Sequence, residues 1–368
     1  MKTGFGLSKA GFLCYDGRKR EVIAVSDTLT SISASDTRAQ KQLDALLEGE
    51  GIRRDGHLDY TCGIFDDDWR LIATGSCFKN TIRCLAVSSD HQGEGLLNRV
   101  VTHLMEVQVE RGNLHVFLYT KPKSAKFFGD LGFAEIARLD NLVFMENRRS
   151  GFVSYLNALE RAPQGRTAAI VMNANPFTLG HRYLVEKAAG ENDYVHLFLI
   201  SEEAGPIPFV VRKKLVQEGI TDLKNVSLHD SGPYIISAAT FPSYFLKDAD
   251  TVIRAHAALD LSVFGRIAET LQITVRYVGD EPTSHVTALY NEIMAEKLPE
   301  QGVRCVIVPR LERSGRVVSA STVRQAIHDD ALDSVRDMLP ETTYRFFASN
   351  EAESVVKAIR AMEDPKHY

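Results

Sequence analysis

The residues best suited to chemistry in this sequence lie between positions 168 and 182. The apolar run Ala168–Met172 has the character of a buried strand and leads into a turn that contains asparagine, proline and glycine. A helix is predicted to begin near Gly180, which puts Thr178 and His181 at its N-terminus. Unpaired backbone N–H groups and the helix dipole favour an anion there, and glycine lets a ligand approach the backbone. The segment therefore predicts a phosphate site with an imidazole beside it, rather than an ordinary surface histidine.

A second motif, Val-Ser-Ala-Ser-Thr-Val-Arg at 318–324, has the composition of a turn that leads into a helix. Ser321 or Thr322 is suited to cap that helix, which places Arg324 in its first turns. A cation is unfavourable near a helix N-terminus because the helix dipole is positive there. A bound polyphosphate would reverse that cost, since a guanidinium presents a planar fork to phosphate oxygens. The motif therefore predicts a second phosphate contact.

Two further stretches have both a functional and a structural interpretation. The basic segment that contains Arg212 and Lys214 is either a mobile loop that closes on a polyphosphate or the solvated start of a helix. The turn Gly-Asp-Glu-Pro at 279–282 follows the apolar run Thr274–Val278. It either contacts adenosine at the ligand-binding edge of a sheet or simply reverses the chain. The sequence leaves both alternatives open.

A comparable strand, loop and helix occur in the N-terminal half. The apolar run Cys84–Val87 is followed by Ser-Ser-Asp-His-Gln-Gly-Glu-Gly at 88–95, and an amphipathic helix is predicted from about Gly95 to Arg111. A Gly-x-Gly pattern alone is a weak signal. Between a strand and a helix N-terminus, however, it predicts a second phosphate site.

These motifs lie on two different patterns of secondary structure. Residues 60–145 predict strands, a helix, a strand, a short helix and two final strands, which is an α+β order. From residue 167 onward, apolar runs alternate with helical stretches, which predicts an α/β fold with a parallel sheet covered on both faces. In such a sheet, ligands bind beyond the carboxyl ends of the strands.

The predicted organisation is therefore two domains with a linker and a tail. An α+β domain spans 1–147, a charged and turn-forming linker spans 148–165, a Rossmann-like α/β domain spans 166–348, and a helical tail spans 349–368. A chain of 368 residues is too long for one ordinary hydrophobic core, in agreement with this division.

Composition argues against several classes of function. The formal net charge of −5 provides no general attraction for nucleic acid, and no apolar run has the roughly 20 residues that a membrane span needs. The five cysteines stand far apart without a C-x-x-C pattern, so neither a zinc ribbon nor a dithiol redox site is predicted. With no signal-peptide pattern at the N-terminus, we expect a cytoplasmic protein without a metal site of its own.

The T-x-G-H residues at 178–181 and the turn at 318–324 resemble the two signature motifs of the nucleotidylyltransferase superfamily. The resemblance implies an adenylylating domain that uses ATP and Mg²⁺ and needs no protein nucleophile. It implies that Thr178 and His181 contact the triphosphate, with His181 stabilising charge at the α-phosphorus. Ser321 and Arg324 would hold the β- and γ-phosphates. The further ATP contacts that it implies are Asn173, Asn175, Phe177, Gly180, Arg212, Lys214, Gly279, Ser319 and Thr322, the first three forming a floor where the attacking substrate meets ATP.

The order of elements at 60–145, with its loop at 88–95 and Gly132-Phe133 near its end, resembles the GNAT acyltransferase superfamily. The resemblance implies that this loop binds the pyrophosphate of a coenzyme-A-like arm. Phe128 occupies the position at which the family often has a tyrosine acting as general acid. An acceptor thiol, with a pKa of about 8.5, needs less help from such an acid. The implied contacts with the arm are Val87, Gln92, Gly93 and Gly95.

The chain as a whole resembles the citrate lyase ligase family from about Leu43 to Ala348, including the stretches at 207–212 and 237–245. The resemblance implies that ATP and acetate are used to acetylate the prosthetic-group thiol of the citrate lyase acyl carrier protein, by way of acetyl-adenylate. Two alternatives stay open. One is a nucleotidyltransferase that joins ATP to a phosphorylated cofactor precursor, with a regulatory GNAT-like domain. The other is a nucleotide-binding sensor without chemistry.

Overall fold

The N-terminal half of the chain is built around one seven-stranded sheet. The computed structural model describes residues 27–203, 205–235, 241, 249–280 and 285–366. The elements of this half are β1 (Thr28–Ser31), α1 (Thr37–Gly49), β2 (Tyr60–Phe65), β3 (Leu71–Phe78), β4 (Thr81–Val87), α2 (Leu96–Glu110), β5 (Phe117–Thr120), α3 (Ala125–Asp130), β6 (Ala134–Arg138) and β7 (Val143–Glu146). The strand order is β1-β2-β3-β4-β5-β7-β6, and only β4 and β5 run parallel. The predicted α+β order is confirmed.

The helix α2 covers one face of this sheet. Leu96, Val100 and Leu104 recur at a spacing of four residues and are buried in one cluster with residues of β2, β3 and β4. Gly95, at the N-cap, has a φ of 74°, a left-handed conformation that glycine adopts without strain. The spacing of apolar residues thus fixes where α2 lies, and glycine fixes how it begins.

Strands β4 and β5 separate after a short contact. They pair only at Thr81 with Phe117 and at Ile82 with Leu118. Farther along β4, Cys84 has a φ of 51°, and the register between β3 and β4 shifts between Thr74 and Ser76. Such a bulge bends a strand and increases its twist. The sheet therefore has a gap on the side of β4 that leads into the loop at 88–95.

The C-terminal half is built around a five-stranded parallel sheet in the order β10-β9-β8-β11-β12. Its elements are α4 (Gly151–Ala158), β8 (Thr167–Met172), α5 (Leu179–Glu191), β9 (Tyr194–Leu199), α6 (Phe209–Gly219), β10 (Val226–Asp230), α7 (Ala249–Leu271), β11 (Val275–Gly279), α8 (His285–Lys297), β12 (Arg304–Val308), β13 (Glu312–Arg313), β14 (Arg316–Val317), α9 (Ala320–His328), α10 (Glu341–Phe347) and α11 (Glu353–Arg360). The predicted α/β class with a parallel sheet is confirmed.

Helices cover both faces of the parallel sheet. Along β8, Ala168, Ile170 and Met172 pack with α5, α6 and α9 to α11, whereas Ala169 packs with α4, α7 and α8. The strand order reverses at β8, because β9 lies on one side of it and β11 on the other. Loops that leave the carboxyl ends of β8 and β11 therefore border the crevice in which such sheets bind ligands.

The segment between the two sheets is a packed helix. Phe152 and Leu156 of α4 are buried in a cluster that also contains Phe117 and Phe144 of the N-terminal sheet and Phe264 of α7. The two halves therefore share a continuous apolar core across residues 148–165. The exact domain boundaries stay predictions.

A buried carboxylate reinforces this junction. Glu146, at the end of β7, accepts hydrogen bonds from the backbone N–H of Phe152 at 2.7 Å and from the hydroxyl of Tyr234 at 3.0 Å. Its other close neighbour is Nε2 of His115, at 2.6 Å. The carboxylate thus joins both sheets to the start of α4, where the helix dipole favours negative charge.

None of the helices within the described ranges has the length and apolar character needed to cross a bilayer. The same ranges contain no group of three or more His, Cys, Asp or Glu side chains arranged to hold a metal ion.

Two histidines are buried together between β9 and β10. Nδ1 of His196 lies 2.9 Å from Nε2 of His229, and Nε2 of His196 has no hydrogen-bond partner in the part of the chain that the structure describes. Burial lowers the pKa of both imidazoles, and the neighbouring His229 helps to lower the pKa of His196 to about 4. The folded protein therefore holds this pair neutral at pH 7.

We expect the free energy of unfolding to fall as the pH decreases from about 6.5 towards 4, because the unfolded chain binds protons at these histidines that the folded chain excludes. Between pH 7 and pH 5, the free energy of unfolding of the His196→Leu variant should fall by about 1–2 kcal/mol less than that of the wild type. Urea unfolding at both pH values measures this difference, with the partly exposed His328→Leu as control. Equal losses in the wild type and in His196→Leu would contradict the assignment.

Candidate active site

The helix α5 begins with a reciprocal cap between Thr178 and His181. Oγ1 of Thr178 accepts a hydrogen bond from the backbone N–H of His181 at 3.4 Å, and the backbone N–H of Thr178 donates to Nδ1 of His181 at 3.1 Å. Because Nδ1 is an acceptor, the neutral imidazole carries its proton on Nε2. The cap therefore fixes both the orientation of the ring and its tautomer, and it leaves Nε2–H to donate to a ligand.

The charge state of His181 follows from its surroundings. Burial and the nearby positive charge of Arg310 lower its pKa to about 4. The imidazole is therefore neutral at pH 7 in the free protein. It is suited to stabilise a phosphate as a hydrogen-bond donor rather than as a cation.

Phe177 supports His181 from the core. Its side chain is fully buried, and its ring stacks on that of His181 with centroids 5.9 Å apart and an angle of 19° between the planes. The ring also lies against Gly219 of α6, where an added Cβ would overlap it. This burial does not fit the expectation that Phe177 forms part of the floor where the substrate meets ATP; its ring packs against the imidazole of His181.

Asn175 presents an unpaired carboxamide in the loop between β8 and α5. The residue is only 3% exposed, and neither its Nδ2 nor its Oδ1 has a hydrogen-bond partner within the described residues. An unsatisfied buried polar group costs about 1–3 kcal/mol. Ala174, which precedes it, has a φ of 50°, and the Asn175–Pro176 peptide bond is cis. A ligand that pairs with this carboxamide would recover its lost hydrogen bonds.

The second motif lies directly beside the first. The N-cap of α9 is Ser319, whose hydroxyl accepts from the backbone N–H of Thr322 at 3.1 Å. The prediction that Ser321 or Thr322 caps this helix is therefore wrong. The hydroxyls of Ser321 and Thr322 lie 3.0 and 2.8 Å from that of Ser319. An added Cβ on Gly180 would lie 3.3 Å from the carbonyl oxygen of Val318, so the absence of a side chain at 180 lets the starts of α5 and α9 approach each other.

Arg324 is buried rather than directed at an open site. It is 4% exposed and donates hydrogen bonds to the carbonyl oxygens of Asn175 at 2.6 Å, Pro365 at 2.7 Å and Lys366 at 2.7 Å. The expected contact of Arg324 with the β- and γ-phosphates does not fit this placement. A buried guanidinium needs acceptors, and backbone carbonyls supply them here.

Arg212 has a similar environment. It is 1% exposed and donates to the carbonyl oxygens of Asn173, Ile200 and Glu202 and to Oδ1 of Asn173, all at 2.7–2.9 Å. These bonds do not fit the expected contact of Arg212 with ATP. Arg212 instead connects the loops that follow β8 and β9. Lys214 forms an exposed ion pair with Glu351 at 2.7 Å, so the structure does not bring it to the loop after β8.

Gly279 is the last residue of β11 and so lies at the carboxyl edge of the parallel sheet, as predicted. No atom lies within 4 Å of a Cβ built on it, and its carbonyl accepts from Nδ2 of Asn291 at 3.1 Å. The open space is compatible with the predicted approach of a ligand. The neighbouring Glu281 and Pro282 lie outside the described residues, as do 236–240 and 242–248, which include most of the stretch at 237–245.

Arg310 was not among the candidates from sequence. It follows the carboxyl end of β12, and its Nε donates to the carbonyl oxygen of Asp280 at 2.9 Å. The next residue, Leu311, accepts from the backbone N–H of Val318, which in turn approaches Gly180. Arg310 is half-buried, and it lies near enough to His181 to lower the pKa of that imidazole. Its position two residues past the apolar run 303–308 was the available signal.

The loop at 88–95 has the form expected of an anion site. It leads from β4 to the N-terminus of α2, and Gly93 and Gly95 have φ values of 91° and 74°. No atom lies within 4 Å of a Cβ built on either glycine. Val87 is partly buried and Gln92 exposed. Val87 ends β4, the three other predicted contacts lie on the loop that follows it, and their role in binding stays a prediction.

An α+β region is joined to a parallel α/β region, and both sequence motifs lie at one edge of the parallel sheet. Residues 167–347 match the family described as citrate lyase ligase C-terminal domain. The citrate (pro-3S)-lyase ligase of Klebsiella pneumoniae is 41% identical over 285 residues, 75% of this chain and 83% of the relative. That of Haemophilus influenzae is 34% identical over 319 residues, 83% of this chain and 95% of the relative.

The chain therefore belongs to the citrate lyase ligase family and is an enzyme of the ligase class. Among solved structures, it is similar to a putative nicotinate-nucleotide adenylyltransferase from Vibrio parahaemolyticus, with 17% identity and a TM-score of 0.34. That match covers 53% of this chain and 96% of the other.

Proposed function

We propose that this protein uses ATP to activate acetate as acetyl-adenylate and transfers the acetyl group to the prosthetic-group thiol of the citrate lyase acyl carrier protein. Family membership supports the ligase reaction in general. The observation that carries the mechanism is the convergence of two capped helix N-termini, α5 and α9, on a neutral imidazole and the unpaired carboxamide of Asn175. We infer a cytoplasmic location for this reaction, as the sequence predicts.

In the first step, a carboxylate oxygen of acetate attacks the α-phosphorus of ATP, and the bond to the bridging oxygen of pyrophosphate breaks. Nε2–H of His181 donates to the phosphate oxygens as negative charge builds up on them. The backbone N–H groups at the starts of α5 and α9, with the hydroxyls of Ser321 and Thr322, bind the polyphosphate. Arg310 supplies the cation. ATP would enter as its Mg²⁺ complex, and the ion would neutralise part of the charge on the phosphates.

In the second step, the thiolate of the carrier attacks the acetyl carbonyl, and AMP leaves with the electrons of the acyl–oxygen bond. The arm of the carrier is bound through its phosphates at Gln92, Gly93 and Gly95, next to the N-terminus of α2. A thiol pKa of about 8.5 makes a tyrosine acid dispensable, in agreement with Phe128, which is buried in the N-terminal core.

The junction between the two halves lies on the route that we propose for the arm of the carrier, from its phosphate site to the adenylate. Nζ of Lys79, in the turn before β4, lies 3.5 Å from the carbonyl oxygen of Glu203 and 3.9 Å from the carboxylate of Glu202. Glu202 is held by Arg212, which also holds Asn173. β4 spans about 20 Å from this contact to the loop at 88–95, so an arm that lies along β4 leads from its phosphate site towards the adenylate.

Exchange of radioactive pyrophosphate into ATP tests the first step, and acetylation of the carrier thiol tests the second. We expect exchange only when acetate is present. In Gly93→Ala, the added side chain strains a φ of 91°, so thiol acetylation should fall about tenfold while exchange stays at the wild-type rate. Gly112→Ala, a second positive-φ glycine at the far end of α2, is the matched control.

Two results would contradict the proposal. Exchange that needs a mononucleotide or a phosphorylated cofactor precursor instead of acetate would favour a nucleotidyltransferase. No turnover of ATP with any short carboxylic acid would favour a nucleotide sensor.

A further inference from the structure

Two buried arginines hold the two ends of the segment that leads into the T-x-G-H motif. Arg212 binds Asn173 through both its carbonyl oxygen and its Oδ1, each at 2.8 Å. Arg324 binds the carbonyl oxygen of Asn175 at 2.6 Å. Between these two contacts lies Ala174, with its φ of 50°. The path of the chain into Thr178 and His181 is therefore fixed by guanidinium groups that are 1% and 4% exposed.

Two further contacts of Arg324 come from residues 365 and 366. Its Nε and one terminal nitrogen donate to the carbonyl oxygens of Pro365 and Lys366, both at 2.7 Å. Pro365 is itself buried, and the backbone N–H of Lys366 donates to Oδ1 of Asp364 at 2.9 Å, which shapes the turn. We call residues 364–366 the tail turn.

The tail turn is anchored by α11. Val355 and Ile359 of this helix are buried in the cluster that contains Val323 and Ile327 of α9. Arg360, the last residue of α11, pairs with Asp330 at 2.5 Å. The tail turn follows this packed helix, so α9, the tail turn and the loop after β8 meet at a single guanidinium.

We propose that Arg324 and the tail turn act as one positioning device, which holds the peptide of Asn175 in place for the adenylylation step. The proposal rests on the proposed function and adds the tail turn to its machinery. Arg324 is then a positioning residue and contacts no phosphate. Without the carbonyls of Pro365 and Lys366, the buried charge loses two of its acceptors, and the guanidinium is free to reorient away from Asn175.

If Arg324 binds phosphate instead, removal of the tail turn should have the opposite effect. In that case the tail turn competes with the triphosphate for the guanidinium, and its removal should improve ATP binding. Under the positioning role, its removal impairs the chemical step. The direction of the change therefore separates the two interpretations.

Four variants of the full-length protein test this: a truncation after Glu363, Arg324→Gln, their combination, and Lys357→Gln as the control. The control removes an exposed positive charge from α11, the helix that leads to the tail turn. We expect the truncation and Arg324→Gln each to lower kcat of acetate-dependent exchange by about 10- to 100-fold, as for other displaced catalytic groups. The KM for ATP should change by less than about threefold. The kcat of the combined variant should be no lower than that of the slower single variant, because both changes act through Asn175.

Several outcomes would overturn the proposal: a truncated protein with wild-type kcat, a lower KM for ATP after truncation, or multiplicative losses in the combined variant. Thermal unfolding of each variant identifies a loss that comes from misfolding, and if Arg324→Gln does not fold, the truncation alone decides. Absence of acetate-dependent exchange in the wild type would instead contradict the proposed function.

Discussion

Replacing His181 with alanine is expected to lower kcat of acetate-dependent pyrophosphate exchange by about 10²–10³-fold, the usual cost of removing a preorganised donor to a transition-state charge. The structure provides the reason. The backbone N–H of Thr178 fixes Nδ1 as an acceptor, Phe177 supports the ring, and a pKa of about 4 keeps the proton on Nε2 at pH 7. Initial rates at saturating ATP and acetate measure the effect.

A second substitution separates catalysis from helix capping. His181→Asn retains a short polar side chain that can accept from Thr178 N–H, but it has no group at the position of Nε2. It should be as slow as His181→Ala yet more stable, since a lost cap costs about 1 kcal/mol. His328→Ala, a partly exposed histidine on α9, should leave the rate unchanged. Turnover of His181→Ala near that of the wild type would refute the assignment.

The sequence was sufficient to predict the fold classes because these depend on local patterns, and the place of the candidate site is predicted from the same kind of pattern. Apolar runs predict the strands of the parallel sheet, and a buried strand followed by T-x-G-H predicts a helix N-terminus at the ligand edge. Among the elements that were not predicted, β1 gives little local signal, because only Leu29 of its four residues is apolar. The helix α1 was missed although Ala39, Leu43 and Leu47 recur at the helical spacing of four residues.

The partners of the arginines were not predictable, because they come from distant parts of the chain. A basic residue near a helix N-terminus suggests an anion. In the folded protein, however, the acceptors for Arg324 are carbonyl oxygens 41 and 42 residues later and 149 residues earlier in sequence. Arg212 likewise binds carbonyls from two other loops. No side-chain pattern encodes a backbone acceptor, so sequence motifs alone assign such arginines to a ligand.

Arg310 is the residue that we expect to supply the positive charge for the polyphosphate. We expect Arg310→Gln to lower kcat/KM for ATP by about 10- to 100-fold, since a charge-assisted hydrogen bond contributes about 1.5–3 kcal/mol. The variant should also raise the pKa of His181, because one of the two causes that depress it is removed. Burial remains, so the value should stay below about 6.5. Titration of the His181 Cε1 proton by NMR in the free enzyme measures this shift without any turnover.

Arg310→Lys and Arg313→Gln are the matched controls for this assignment. Lysine keeps the positive charge but not the planar fork, so the pKa of His181 should stay low while ATP is bound more weakly. Arg313 is exposed on β13, three residues after Arg310, and its loss should change neither quantity. If Arg310→Gln left both the pKa of His181 and the ATP dependence unchanged, the guanidinium would be too far from the imidazole to act on a phosphate bound there. The charge that balances the triphosphate would then have to come from another residue at the carboxyl edge of the sheet.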